Sequence, residues 1–363
     1  MIRSLFYIFA LISPLSWTAP DSIHNEALKK RLDFLFRDSR LSGTEMSVEV
    51  FSLSQQKKLY SLNSEKSLSP ASTVKMLTAL VALKKLGPNF RFETNIYHDG
   101  SVKNGVLQGN LYIRGGGDPS LVTERLYQLV ERLTRSGIRE IRGNVYVDDT
   151  LFDLTGIEES RLKKKTDRAY DAKLSALSFN YNSTTLYFRP TRLGARPKVF
   201  VVPDTGYVKV KNSAKTYSSS RYRLIASRSP TKTGDLVTIT GKIPRGMSEQ
   251  SSYLNVTKPA IHAGYAFVYM LKKFGIKVKN QSPKKKKTPK NAKRLLSFKS
   301  LALREIVVLM NKFSNNLIAD TLILTLGLEL KGRGNVRSGI QVIKEEATRL
   351  GINYGDFKIV SGS

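Results

Sequence analysis

No cysteine occurs in the 363 residues, which excludes a disulfide framework, a thiolate metal site and a lipidated cysteine. Histidine is nearly as scarce: His24, His98 and His262 are scattered, forming neither a metal-ligand cluster nor an evident serine–histidine pair. That scarcity favours lysine as the base of any nucleophilic chemistry. Acidic residues are the third shortage, with 29 Asp and Glu against 60 Lys and Arg and a formal net charge of +31. Such an excess attracts polyanions through counterion release and long-range steering. The apolar run Leu5–Ile12 is too short to span a bilayer. With Arg3 before it and the small Ser16 and Ala19 after it, residues 1–19 read as a secretory signal, so the chain is expected to be exported, periplasmic or wall-associated. Export makes anionic wall polymers or membrane surfaces the expected partners of the charge, not nucleic acid. Adaptation to the host organism's surroundings accounts for the charge equally well.

What is present is the composition of a folded protein, 40% apolar with 16 Tyr and 16 Phe. The length exceeds the ~250–300 residues over which one core usually extends, so two or more domains are expected. The chain is organised around Ser69-Pro70-Ala71-Ser72-Thr73-Val74-Lys75 and the apolar residues after it. Pro70 fits just before a helix and not inside one, and the alanine- and leucine-rich run to Leu83 has strong helix propensity, so a helix starts near Ser72. Three residues apart on one helix face, the Lys75 amine reaches the Ser72 hydroxyl and takes its proton. Val74, Met76, Leu77, Leu80, Val81 and Leu83 leave no wide polar face, which predicts a buried helix and a lysine whose charged form is disfavoured. The helix N-terminus adds free backbone N–H groups where an oxyanion develops.

Ser-x-x-Lys alone also fits a serine cap beside an exposed lysine. The same spacing occurs at Ser54/Lys57, Ser229/Lys232 and Ser282/Lys285. Each of those sits in a polar, turn-like stretch with no core helix behind it. The pair at Ser72 is set apart by Pro-Ala before it and the apolar run after it.

Residues 24–42 carry helical periodicity through Leu28, Leu32, Leu35 and Phe36. A hairpin over Met46–Ser52 and Leu59–Leu62 leads into the Ser72 helix, which Gly87 and Pro88 end. Residues 89–258 are β-rich, with short apolar runs between Gly, Pro and Asn, and one amphipathic helix at 120–137. Helices return at 258–274 and 301–328. Between them Ser282–Lys290 reads as an exposed basic loop.

Paired with Ser72/Lys75, the Ser314-x-Asn316 sequence within 301–328 resembles the second element of the penicillin-binding-protein signature. Further stretches support the likeness: Phe92-Glu93-Thr94, Gly116-Gly117-Asp118-Pro119-Ser120-Leu121, Gly143-Asn144-Val145-Tyr146-Val147-Asp148 and Leu174-Ser175-Ala176-Leu177-Ser178-Phe179-Asn180. From about residue 44 onward the chain resembles the D-alanyl-D-alanine carboxypeptidase/endopeptidase family of class C low-molecular-mass penicillin-binding proteins, peptidase S13 type. The resemblance implies an α/β (α+β) transpeptidase domain of the penicillin-binding-protein/β-lactamase kind, discontinuous, with inserted β-rich domains. Its parts are then 20–90 and 259–363. The insertion at 91–258 comprises one domain from 91–175 with 240–258 and a second nested at 176–239.

By the same resemblance Ser72 is the acylated nucleophile, Lys75 its base, Ser314 the proton relay and Asn316 the holder of lysine and substrate. Asp148 matches an aspartate that meets the free amino group of the stem peptide's diamino acid, a position that a turn or capping aspartate also fits. The implied activity is a serine-type D-Ala-D-Ala carboxypeptidase or DD-endopeptidase on peptidoglycan stem peptides, inhibited covalently by β-lactams and needing no cofactor.

The third signature element, Lys-Thr-Gly, is absent from its place after Ser314. Lys232-Thr233-Gly234 spells it but precedes Ser314 and reads as a hairpin turn. Ser361-Gly362-Ser363 matches the segment that leads to the element in the family, with serine for aspartate. The alternative expectation is therefore a truncated, catalytically impaired member that acts as a basic cell-wall-binding protein.

Overall fold

The hairpin and helix expected around Ser72 are both present. The computed structural model describes residues 21–155, 166–218, 220–352 and 359–363, so the expected signal segment lies outside the described residues. The chain divides into two units at Pro70/Ala71.

In the first unit α1 (Asp21–Phe36) precedes the antiparallel hairpin β1 (Val48–Ser52) and β2 (Lys57–Leu62). The helical periodicity read to residue 42 stops at Phe36, and Asp38 caps a short 3-10 turn, Ser39–Leu41, by accepting from Arg40 N at 2.8 Å. Leu28, Leu32 and Phe36 are half-buried while Leu35 is exposed. Phe36 stacks on Tyr60 at 5.9 Å, and the Tyr60 hydroxyl donates to Asp33 at 2.9 Å.

The second unit opens with a 3-10 turn, Ala71–Thr73, and α2 (Val74–Leu86). There follow β3 (Glu93–His98), β4 (Ser101–Lys103), β5 (Val106–Gln108), β6 (Leu111–Arg114), α3 (Thr123–Thr134) and β7 (Glu140–Asp148). Then come β8 (Ser183–Arg189), β9 (Lys198–Val202), β10 (Val208–Asn212), β11 (Lys215–Tyr217), β12 (Arg223–Pro230), β13 (Asp235–Pro244) and β14 (Gln250–Asn255). The remainder is α4 (Pro259–Lys273), β15 (Lys277–Lys285), β16 (Lys293–Lys299), α5 (Leu303–Phe313), α6 (Asn316–Lys331) and α7 (Val336–Arg349).

The largest sheet runs β16-β3-β6-β7, with β5 and β4 continuing beside β7 on the β6 side and β15 along its other side. Alternation puts Ile96, Ile113, Val145 and Val147 on one face, where α3 and α4 cover them through Leu126, Leu129, Leu133, Phe267 and Leu271. Two smaller sheets, β14-β8-β9 and β10-β13-β11 with β12 beside β13, share a core around Leu186, Phe188, Tyr207, Val237 and Ile239. Helices α2, α5, α6 and α7 form the third layer, packing Val81, Ala82, Ile306, Met310, Leu322 and Ile343 together.

This pairing regroups the expected segments. Residues 259–299, read as the start of the second catalytic part, belong to the large sheet: α4 covers it, and β15 and β16 pair with β7 and β3. Residues 240–258 pair chiefly with the nested segment, β13 with β10–β12 and β14 with β8, while Leu254 bridges Arg168 and Asn255 N donates to Asp167 O at 2.8 Å, which keeps the expected link to 91–175. The return of helical periodicity at 258 marked a helix covering a sheet, a distinction that periodicity does not carry.

Candidate active site

Ser72 lies in the 3-10 turn and Lys75 in the first turn of α2, two residues later than a helix starting at Ser72 itself. Lys75 Nζ donates to Ser72 Oγ at 2.9 Å; with the amine deprotonated the contact reverses and the hydroxyl donates. Lys75 is 2% exposed, whereas Ser72 is open to solvent. Burial of the amine, which disfavours the charged form, pushes its pKa down from 10.5 to about 8. A lysine held near 8 has an appreciable neutral fraction at neutral pH, as a general base requires.

The α2 helix is less enclosed than its composition predicts. Val81 and Ala82 are buried against α5, α6 and α7, but Met76 and Leu80 are 55% and 46% exposed. Packing on one side covers one face only, and the apolar run continues round to the other.

The stretch 301–328 is two helices, not one. Ser314 adopts the left-handed conformation at φ 49°, its N–H returns to Met310 O, and α5 ends there. Asn315 then caps α6 by accepting from Ile318 N at 3.1 Å. The break carries Ser314 on the turn and Asn316 at the first position of α6. Ser314 is exposed, and its hydroxyl makes no hydrogen bond among the described residues. Asn316 Nδ2 donates to the Tyr170 carbonyl at 3.2 Å, which ties α6 to the 3-10 turn Ala169–Asp171. Among the described residues no hydrogen bond joins Ser314 or Asn316 to Ser72 or Lys75. What unites the two pairs is the shared core of α2, α5 and α6. The sequence reading missed Tyr170, which contributes a backbone carbonyl and leaves no side-chain signal. Asn315 did leave one, a capping residue ahead of an apolar run.

Asp148 is buried at the end of β7. One carboxylate oxygen accepts from Thr150 N and Oγ1 at 3.1 and 2.7 Å, and the other accepts from Thr288 N at 2.8 Å. Burial alone would raise its pKa, but these bonds outweigh it and hold the carboxyl below its ordinary value. The Thr150 contacts are those of a turn aspartate, but Thr288 comes from a distant segment and the Arg114 guanidinium stands 3.9 Å from the same oxygen, so a substrate amine would have to displace one of these groups.

Lys232-Thr233-Gly234 forms the loop between β12 and β13, where Thr231 N donates to Gly234 O at 2.8 Å and Gly234 N to Thr231 Oγ1 at 3.0 Å. Lys57 likewise opens β2 after the β1–β2 turn. Ser282 and Lys285 differ from expectation, since both lie on β15, where residues three apart point to opposite faces and do not meet.

The fold and the Ser72–Lys75 pair define a class, a mixed α/β protein of several sheets with a buried lysine against a serine at a helix start. The same architecture is found in the crystal structure of penicillin-binding protein 4 (dacB) from Haemophilus influenzae. The TM-score is 0.73 at 23% identity, covering 89% of this chain and 71% of that one. The same protein complexed with a β-lactam matches at a TM-score of 0.67, with 23% identity over 89% of this chain and 70% of that one. In sequence, the chain belongs to the D-Ala-D-Ala carboxypeptidase 3 (S13) family, whose model matches residues 28–363. A D-alanyl-D-alanine carboxypeptidase of Actinomadura sp. (strain R39) is 29% identical over 345 residues, which are 93% of this chain and 64% of that protein. The D-alanyl-D-alanine carboxypeptidase DacB of Haemophilus influenzae is 34% identical over 110 residues, 30% of this chain and 23% of that one. The chain thus spans 64% of the length of the first of these relatives.

Proposed function

We propose that this chain carries a serine peptidase site that forms an acyl-enzyme on Ser72 with the D-Ala-D-Ala ends of peptidoglycan stem peptides, and that penicillins acylate the same oxygen. The observation that carries the reading is the 2.9 Å contact between Ser72 and a buried lysine whose pKa is held at about 8. In the acylation step Ser72 Oγ attacks the carbonyl carbon of the penultimate residue while its proton passes to Lys75 Nζ. The tetrahedral intermediate collapses, the C–N bond breaks, and the leaving D-alanine amine takes up a proton through the Ser314 hydroxyl. Asn316 takes the substrate amide, and holding Lys75 as well requires its side chain to leave the Tyr170 carbonyl to which Nδ2 donates here. Water, deprotonated by the same base, then hydrolyses the ester and restores Ser72. Cleavage of a cross-link between stems is the same reaction with a longer leaving group. Export to the periplasm or wall is part of this reading and rests on residues 1–19.

Incubation with a labelled penicillin, followed by intact mass spectrometry and peptide mapping, tests the assignment. Label on the Ser72 peptide, absent from Ser72→Ala, is expected. Label on Ser54, Ser229 or Ser282, or label that survives Ser72→Ala, overturns it.

A further inference from the structure

The sheet face turned away from α3 and α4 carries a row of residues in register across five strands. Arg294 on β16 stands opposite Tyr97 on β3, Tyr97 opposite Tyr112 on β6, Tyr112 opposite Tyr146 on β7, and Tyr146 opposite Lys284 on β15. At a strand spacing of ~4.8 Å the row is about 19 Å wide. Tyr112 and Tyr146 stack at 5.2 Å, and the Tyr112 hydroxyl donates to Asp99 at 2.7 Å.

The link between β15 and β16 has to cross this face, because those strands lie on opposite edges of the sheet. It leaves from the end of β7, where Lys286 N donates to Val147 O at 3.1 Å and Thr288 N reaches Asp148. It arrives beside the far end of β3, where Lys293 pairs with His98. Lys286 Nζ lies over the Tyr146 ring at 5.0 Å, and Tyr112, in the middle of the row, is completely buried. The stretch expected to be a free solvated loop is thus a strap laid across a tyrosine row.

Its charge is one-sided. Residues 277–299 contain ten Lys and Arg and no Asp or Glu. Lys285 pairs with Asp149 at 2.8 Å, and Lys286 has the tyrosine ring and nearby Asp99. Lys284, Lys287, Lys290, Lys293 and Arg294 are exposed and have no ion-pair partner among the described residues. Like charges held this close by a strap pinned at both ends repel one another, and among the described residues no carboxylate pairs with these five.

We propose that this strap is a docking surface for an anionic polysaccharide, the carboxylate-bearing wall polymer whose stems the Ser72 site acts on. The inference takes the polymer's identity from that reading. Charge complementarity carries it: five free cations along a track about 19 Å wide meet several anionic groups of one chain at once, which a single small anion does not do. The half-buried Tyr97 near the β16 end of the row offers a ring face to sugar rings. The surface holds the polymer while the helical layer performs the chemistry.

Co-sedimentation of the full chain with protein-free sacculi over a salt series tests this. One variant changes Lys284, Lys287, Lys290, Lys293 and Arg294 to Gln. A charge-matched variant changes the exposed Arg196, Lys198, Lys209, Lys211 and Lys215 to Gln. The strap variant is expected to bind at least ~10-fold more weakly at low salt and to lower the slope of log affinity against log salt by up to about 5, one per cation removed. The charge-matched variant is expected to stay within about threefold of wild type, and sacculi with amidated carboxylates are expected not to retain the protein. The double variant Lys287→Gln/Lys290→Gln, expected to fall in between, serves if the fivefold change impairs folding. Equal losses in the two fivefold variants, undiminished binding to amidated sacculi, or tighter binding to single-stranded DNA than to sacculi would each overturn the proposal. Penicillin labelling of Ser72 is read in parallel. Label without strap-dependent binding sinks this inference alone, and strap-dependent binding without label sinks the peptidase reading alone.

Discussion

Thr78 on α2 and Asp320 on α6 grip the same residue from opposite sides. The Thr78 hydroxyl donates to Gly362 O at 3.0 Å, and Gly362 N donates to Asp320 Oδ1 at 2.9 Å, all three groups being buried. A Cβ on Gly362 would stand 2.4 Å from the Ala319 carbonyl, so only glycine allows this approach. The segment Ser361–Ser363 thereby ties the helix that bears Lys75 to the helix that begins at Asn316.

Loosening this tie is expected to cost stability and slow acylation together. Thr78→Val keeps the shape, loses the bond and leaves the Gly362 carbonyl unpaired, a loss of about 1–3 kcal/mol in urea unfolding. Gly362→Ala forces α6 to shift, for a similar or larger loss. Both variants are expected to be acylated by penicillin more slowly than wild type. Acylation at the wild-type rate in both would show that the tie does not position the site.

On the proposed mechanism the Lys75 amine sets the pH dependence of acylation. With its pKa at about 8, the neutral fraction falls about tenfold for each unit below that value and saturates above it. The rate of Ser72 acylation by penicillin is expected to rise with pH and level off past about 8. Lys75→Arg, which stays protonated throughout, is expected to be inactive across the range. A flat wild-type profile from pH 6 to 9 would rule out Lys75 as the base.

At the far end of α2, Glu346 on α7 is fully buried and meets Lys84 at 2.6 Å, Lys85 at 2.5 Å and Arg349 at 3.3 Å. The bonds from Lys84 and Lys85 lower its pKa from 4.5 to about 2. The depressed carboxyl contributes stability that is present above 4.5 and is lost as pH falls toward 2. A Tm series for wild type should drop through that window. Glu346→Gln should start lower at pH 7 and drop less, and parallel curves for the two would disprove the linkage.

His262 on α4 lies between Phe179 and Tyr207, with ring centroids at 5.4 and 5.0 Å. It is buried, and Nδ1 has no hydrogen-bond partner among the described residues. Burial lowers its pKa from 6.5 to about 3. The unfolded chain therefore takes up this proton first, and stability decreases as pH falls from 6.5 toward 3, a window that opens above that of Glu346. His262→Phe is expected to flatten the decline between pH 6.5 and 4.5. An unchanged slope there would mean that the histidine protonates in place.

The parts legible in the sequence were those made by neighbours along the chain. The Ser72–Lys75 contact follows from a three-residue spacing, the helix at Thr123–Thr134 from its apolar stripe, and the turn at Lys232-Thr233-Gly234 from its polar residues between strands. The break at Ser314 was legible in principle from Asn315, a capping residue inside an apolar run, but helical periodicity on both sides hid it. Asn316 facing the Tyr170 carbonyl was not legible, because a backbone acceptor from another segment has no sequence signature.

By itself the sequence determined the Ser72–Lys75 contact, the charge excess and the kinds of element along the chain, since helix spacing, titratable groups and turn residues act over a few positions. Only the tertiary structure decided which elements share a sheet. β15 pairs with β7 across more than a hundred residues, and that pairing made 259–299 part of the large sheet and turned a basic loop into a strap over three tyrosines. Such pairing depends on register and on what each face can bury against, and local periodicity records neither. The depth of Lys75 was decided in the same way: an apolar helix states that something covers it, while α5, α6 and α7 settle which side is covered and leave Met76 and Leu80 in solvent.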